Sequence, residues 1–198
     1  MRNSNIIIEN TRKTMTYPAR IQHAIEFTTK AHSGQTRKGK PDVPYIIHPL
    51  AVALILSRAG ADEDVIIAGI LHDAVEDSSG KITLDDIEQQ FSEAVAALVG
   101  HVTEQDKSLP WEERKQQALA HIYEMPYDAL LLKSADVLAN LSDLTADIAK
   151  EGDSVWQHFN ALKEKQLERY RNLIEALQTV WPENPLLLEI KEKVIELQ

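Results

Sequence analysis

Ile70-Leu71-His72-Asp73-Ala74-Val75-Glu76-Asp77 closes an apolar run that begins at Val65. Val65-Ile66-Ile67-Ala68-Gly69-Ile70-Leu71 reads as a buried helix, because it is hydrophobic on all sides. Such a helix should end in neutral residues, since negative charge at a helix C-terminus opposes the dipole. This one ends in an imidazole and three carboxylates within six positions. Burying unpaired carboxylates costs roughly several kcal/mol each. A divalent cation removes that cost, and His72 and Asp73 are suitable ligands for one. If the helix continues, His72 and Glu76 share one face and Asp73 and Asp77 another, each pair being four apart. A surface cap is the competing reading of His-Asp alone. Glu76 and Asp77 directly behind the pair weigh against it.

Upstream, Pro18 opens a helix with Ile21, Ala24, Ile25, Thr28 and Ala31 on one face, stopping near Ser33-Gly34. Gln35-Thr36-Arg37-Lys38-Gly39-Lys40-Pro41 combines glycine, proline and charge, so it reads as a loop. Its basic residues make it either a solvated turn or an anion-binding loop. In Tyr45-Ile46-Ile47-His48-Pro49 the proline fits the first position of a helix, where its missing N–H costs nothing. That leaves His48 at a helix entry among apolar residues, where its ring nitrogens need partners. Arg58-Ala59-Gly60 stops this helix and Asp62 caps the next.

Downstream, Thr83, Ser92 and Pro110 each open a helix. Tyr127 to Lys150 reads as a long amphipathic helix with Leu130, Leu131, Val137, Leu138, Leu141 and Leu144 inward. Asp136 lies between apolar neighbours, and Asn140 is one turn further along the same face. Together with Lys133, Asp143 and Asp147 they form a polar stripe, which is either exposed or part of a site. Helices over Ser154–Val180 and Leu186–Leu197 complete the chain. Strand-like alternation is almost absent. The expectation is an all-α, single-domain bundle of roughly eight to ten helices over residues 17–198, with residues 1–16 as a flexible leader.

Composition narrows the function. The chain has 198 residues, enough for one domain with a real core. It carries 31 acidic and 21 basic residues, a net charge of −10, which disfavours a general nucleic-acid binder. Small anions would need a local basic patch. The absence of cysteine excludes disulfides, thiolate metal sites and a cysteine nucleophile. No run reaches the ~18 apolar residues of a membrane span, and no apolar stretch of secretory length opens the chain, so a cytoplasmic location is expected.

His48 at a helix entry, His72-Asp73 at a helix end and Asp136 within a later helix make a candidate four-ligand set. Two neutral nitrogens and two carboxylates balance a 2+ ion and suit Mn²⁺, Fe²⁺ or Zn²⁺. The other histidines (His23, His32, His101, His121 and His158) lack this acidic context and read as surface or core residues.

Tyr45-Ile46-Ile47-His48-Pro49, Ala68-Gly69-Ile70-Leu71-His72-Asp73-Ala74-Val75-Glu76-Asp77 and Lys133-Ser134-Ala135-Asp136 with Asn140 resemble the HD-domain phosphohydrolases. The "HDxVED" form is closest to the alarmone-hydrolase branch, which includes the hydrolase half of the RelA/SpoT enzymes and the small alarmone hydrolases. The likeness runs from about Ala19 to Asn140. It implies (p)ppGpp 3′-pyrophosphohydrolase activity with Mn²⁺. It implies His48, His72, Asp73 and Asp136 as metal ligands and Glu76 and Asp77 as the water-activating pair. By the same likeness Arg37 and Lys38 lie near purine and phosphates, Asn140 contacts the nucleotide, and Tyr170 stacks beside it. Ser142 stands where the family commonly has Arg two positions after the asparagine. That departure keeps a phosphohydrolase acting on another nucleotide or phosphorylated metabolite in view. A non-catalytic nucleotide sensor is a third reading, against which the intact Glu76 and Asp77 argue. A homo-oligomer is compatible with the sequence.

Overall fold

Helix α3, Glu63–Leu71, lies at the centre of the molecule, and the computed structural model describes residues 18–78, 80–104, 108–159 and 161–197 around it. The leader expected over residues 1–16 falls outside them. Val65, Ile67, Ala68, Ile70 and Leu71 of α3 are all buried. Each large apolar side chain of this kind contributes about 1.5–3 kcal/mol on burial. The helix is covered on every side: α1 (Ala19–Ala31), α2 (Ile47–Arg58), α6 (Glu93–Val102) and α8 (Tyr127–Glu151) all pack against it. A helix enclosed in this way delivers whatever follows it into the interior.

Gly69 sets how closely α3 and α2 approach. A Cβ there would stand 2.4 Å from Leu56 Cδ1 and 3.3 Å from Val52 Cγ1. The missing side chain leaves the room that the Leu56 and Val52 side chains of α2 fill. The long helix α8 forms the second axis of the core, burying Leu130, Leu132, Val137, Leu138, Leu141 and Leu144. It packs on α2, α3 and α6 and is closed from the other side by α10 (Leu187–Glu196). Asn184, just before α10, donates to the Ser134 hydroxyl on α8 at 2.8 Å, a buried polar tie in an otherwise apolar contact.

The remaining helices are α4 (Ala74–Asp77), α5 (Leu84–Gln90), α7 (Trp111–His121) and α9 (Lys163–Val180). Thr83 caps α5 through a reciprocal box with Asp86, and Ser92 caps α6 by accepting from Val95 N. The all-α class is as expected, and no helix among the described residues is long and apolar enough to cross a membrane.

Five local expectations are corrected. The basic stretch after α1 is not an irregular loop: β1 (Thr36–Arg37) and β2 (Lys40–Pro44) pair antiparallel around Lys38-Gly39. Gly39 has φ 76°, the left-handed conformation such a tight connection demands. Pro49 is the third residue of α2, not the first, and still lies in the first turn, where no intrahelical N–H is needed. Asp62 precedes α3 in extended conformation, but its side chain makes no capping bond. α3 stops at Leu71, and His72 and Asp73 form a turn before α4, so the acidic cluster is not one continuous helix. Residues 152–158 are a 3₁₀ segment opened by Gly152 at φ 66°, so the helix expected from Ser154 starts only at Lys163.

Candidate active site

The turn after α3 faces the first turn of α2. His48 Nε2 lies 3.6 Å from Asp73 Oδ2, and His72 Nε2 lies 3.1 Å from the same oxygen. One ligand atom each from His48, His72 and Asp73 falls within 4.8 Å of the others. Asp136 reaches in from α8: its Oδ1 is 3.3 Å from His48 Nε2 and 3.8 Å from His72 Nε2. Residues 88 positions apart in sequence thus converge on one point because α2, α3 and α8 share the core.

The protonation pattern suits a cation. His72 Nδ1 lies 2.9 Å from the Gly69 carbonyl, one of the oxygens left without an intrahelical partner at the end of α3. A carbonyl only accepts, so Nδ1 carries one hydrogen, and Nε2 faces Asp73 and Asp136, where an ion would take the place of a second proton. That Nε2 is buried without a hydrogen-bond partner. Burial disfavours a second proton on His72, but the charges of Asp73 and Asp136 overcome this and raise it to about 9. Burial likewise opposes charge on Asp73 and Asp136. The neighbouring imidazoles at Asp73 and the Lys133 ammonium at Asp136 still hold both carboxyls below the usual range. Two imidazole nitrogens and two ionised carboxylates form a donor set that a divalent ion satisfies better than a shared proton.

Surrounding groups fix these side chains. The Tyr45 hydroxyl donates to Asp73 Oδ2 at 2.6 Å. The Tyr45 ring stacks on His32 at 4.6 Å, and the Arg37 guanidinium lies 5.5 Å from its centre. Gln35 bridges His32 Nδ1 at 2.7 Å and the Asp77 carbonyl at 2.9 Å, tying α4 to the end of α1. Lys133 pairs with Asp136 Oδ2 at 3.0 Å, and Asn140 donates to Oδ1 at 2.6 Å. Arg37 in turn donates to Asn140 Oδ1 at 3.1 Å and to Asp143 at 2.9 Å, while Lys40 pairs with Asp147 at 2.7 Å. The polar stripe of α8 is therefore not a solvated face; the hairpin lies along it.

Glu76 and Asp77 are half-buried in α4 beside the metal-ligand candidates. Glu76 Oε2 accepts from Glu104 N at 3.4 Å. A cavity of about 370 Å³ opens next to Asp136 and contains Arg37, Lys38, Asn140 and Tyr170, with Phe159 and Tyr45 adding ring faces. A second cavity, of about 240 Å³, lies on the other side of Lys133 and Arg169. The structure thus brings all ten expected site residues to one region. Tyr45, Gln35 and His32 join the site unexpectedly, and Lys133 joins it from the polar stripe of α8. Lys133 carried a signal, being three residues before Asp136 on a helix; Gln35 carried none, because its partner lies 42 positions away.

A family model described as "HD domain" matches residues 24–166. The chain belongs to the HD-domain family. MESH1 of Danio rerio, a guanosine-3′,5′-bis(diphosphate) 3′-pyrophosphohydrolase, is 41% identical over 126 residues, covering 63% of this chain and 68% of its own. The solved structure titled "A metazoan ortholog of SpoT hydrolyzes ppGpp and plays a role in starvation responses" superposes with a TM-score of 0.75 at 30% identity. It covers 92% of this chain and 98% of that one. A 1.85 Å crystal structure of lmo0812 from Listeria monocytogenes matches at TM-score 0.69 and 37% identity, covering 74% of this chain and 96% of that one. In this HD domain the His48–His72–Asp73 group lies inside the matched span.

Proposed function

We propose that this chain is a metal-dependent hydrolase that cleaves guanosine 3′,5′-bis(diphosphate) and its 5′-triphosphate form at the 3′ position. The products are GDP or GTP and pyrophosphate. One observation carries the reading: the compact His48, His72 and Asp73 group, with Asp136 beside it, opens on a cavity with ring faces and basic side chains, in a chain 41% identical to a 3′-pyrophosphohydrolase.

His48, His72, Asp73 and Asp136 would hold the ion; their mixed nitrogen and oxygen donors suit Mn²⁺, Fe²⁺ or Zn²⁺, and the likeness to the alarmone hydrolases favours Mn²⁺ among them. Bound there, a divalent ion supplies charge neutralisation and a lowered water pKa. Glu76 takes the proton of the attacking water, with Asp77 keeping α4 and its carboxylate in place. The water oxygen bonds to the phosphorus on the 3′ oxygen. The P–O3′ bond breaks, its electron pair stays on O3′, and O3′ takes up a proton. Arg37 and Lys38 offset phosphate charge, Asn140 and Tyr170 hold the nucleoside, and Tyr45 orients Asp73. The hydrolase domain spans 17–198, supported by one contiguous core from Ala24 to Leu197. Such an enzyme belongs in the cytoplasm, where it lowers alarmone levels in the stringent response.

A second reading rests on Ser142. Its hydroxyl bonds back to the Leu138 carbonyl at 2.8 Å and adds no cation to the site, which favours a substrate with fewer phosphates. One assay separates the two. Mn²⁺-loaded protein is given ppGpp and a panel of other nucleotides, and the products are resolved. GDP and pyrophosphate, abolished by chelator, support the alarmone reading. Turnover of another nucleotide in preference to ppGpp overturns it.

A further inference from the structure

The second cavity, between α6, α7, α8 and α9, has a charge unlike the rest of the protein. Among the described residues its lining includes Arg114, Lys115, Lys133 and Arg169, against the one carboxylate of Glu104. With neutral histidines that is a surplus of three positive charges, in a chain whose net charge is −10. The cavity beside Arg37 holds four cations (Arg37, Lys38, Lys40 and Arg169) but also four carboxylates (Asp136, Asp143, Asp147 and Glu151), so it is balanced. A concentrated polyanion is favoured in the first and a base or ribose in the second.

The two cavities share Arg169, and each reaches the candidate metal centre through one side-chain contact at most. Lys133 lines the cationic cavity and pairs with Asp136 at 3.0 Å, and Arg169 lines both cavities. Glu104 N lies 3.4 Å from the Glu76 carboxylate, so the cationic cavity also borders the assigned general base. At about 240 Å³ it is smaller than the ~300–1,000 Å³ usual for whole-ligand pockets. It suits a compact group.

Both Arg114 and Lys115 converge on the Glu104 carboxylate. A carboxylate clamped by an Arg and a Lys has the geometry of a phosphate oxygen pair in the same grip. Resting on the 3′-pyrophosphohydrolase reading above, we infer that this cavity receives the distal phosphate of the 3′ diphosphate. Glu104 stands in for that phosphate in the free enzyme and gives up Arg114 and Lys115 when substrate enters. Released pyrophosphate leaves from here, while the nucleoside and its 5′ phosphates stay in the cavity beside Tyr170.

Product inhibition at fixed free Mn²⁺ tests this, because the two products occupy different cavities. Lys115→Met should weaken inhibition by inorganic pyrophosphate about tenfold, the usual cost of one charge-assisted contact, with inhibition by GDP unchanged. Glu104→Gln should act in the opposite direction and tighten pyrophosphate several-fold, so a poorly folding Lys115 variant does not leave the idea untested. Pyrophosphate inhibition blind to both changes overturns the proposal. So does a shift in GDP inhibition instead, which would mark the cavity as the 5′-phosphate site. Failure of the wild-type protein to hydrolyse ppGpp would sink the functional reading itself. Calorimetric titration of the same Mn²⁺-loaded proteins with pyrophosphate would then still report on the cavity.

Discussion

Loading the metal-free protein with Mn²⁺ should expel a proton, and the structure says how many and from where. Asp73 and Asp136 are held below the usual carboxylate range, so they have no proton to give at neutral pH. His72 does: raised to about 9, it carries a second proton on the Nε2 that faces both carboxylates. An ion at that nitrogen must displace it. The expected release is about one proton per site at pH 7.5, about half at pH 9 and about a tenth at pH 10. Apparent affinity should rise about tenfold per pH unit from 7 towards 9 and then level off. Calorimetric titrations in two buffers of different ionisation enthalpy give the proton count directly. The same proton affects stability. The folded value lies above the unfolded ~6.5, so the contribution is fully present below about pH 6.5 and is lost as pH rises through about 9. It is on the order of 3 kcal/mol in the metal-free protein and disappears once metal replaces the proton. Release near zero at pH 7.5, or release that persists undiminished at pH 10, would refute His72 as the proton holder.

Three further outcomes follow from the same geometry. Glu76→Gln should retain metal, measured by elemental analysis after dialysis, and lose about 10²–10⁴ in kcat, the range for a general base; an unchanged rate would remove Glu76 from that role. Tyr45→Phe deletes the 2.6 Å bond to Asp73 and should weaken metal affinity about 10–100-fold, with KM for ppGpp moving far less. Gly69→Ala places a methyl 2.4 Å from Leu56 Cδ1 and should cost about 1–3 kcal/mol in denaturant unfolding. Leu56 is fully buried, so Leu56→Ala alone should cost about 2–5 kcal/mol, and the double variant should lose less than the sum of the two.

Much of this was legible in the chain because the decisive signals were local. Apolar periodicity and helix-opening residues placed α1, α6 and α8 to within a residue or two and gave the start of α3, and carboxylates directly after a buried helix marked the site. The hairpin was missed because its strands are two and five residues long, too short for alternation, and two prolines in β2 hid the rest. The break at His72 was missed because it depends on a side-chain bond to the Gly69 carbonyl and not on a breaker residue. Tyr45 and His32 looked like ordinary aromatic and core positions; their roles rest on stacking and on a carboxylate 28 residues beyond Tyr45. The cationic cavity was invisible for the same reason, since Arg114 and Lys115 on α7 meet Lys133 and Arg169 only after four helices have packed.

The hairpin over residues 36–44 reaches α8 through Arg37 and Lys40, while His48, His72, Asp73 and Asp136 all stand on the helical core or its turns. On the roles proposed above, reactivity and ligand choice are thereby housed in different parts of the fold. A lineage, or an engineer, can exchange the rest of those nine residues so long as Arg37 stays, because its bond to Asn140 reaches Asp136 and its guanidinium lies against Tyr45. The hairpin is where this scaffold can acquire new substrates.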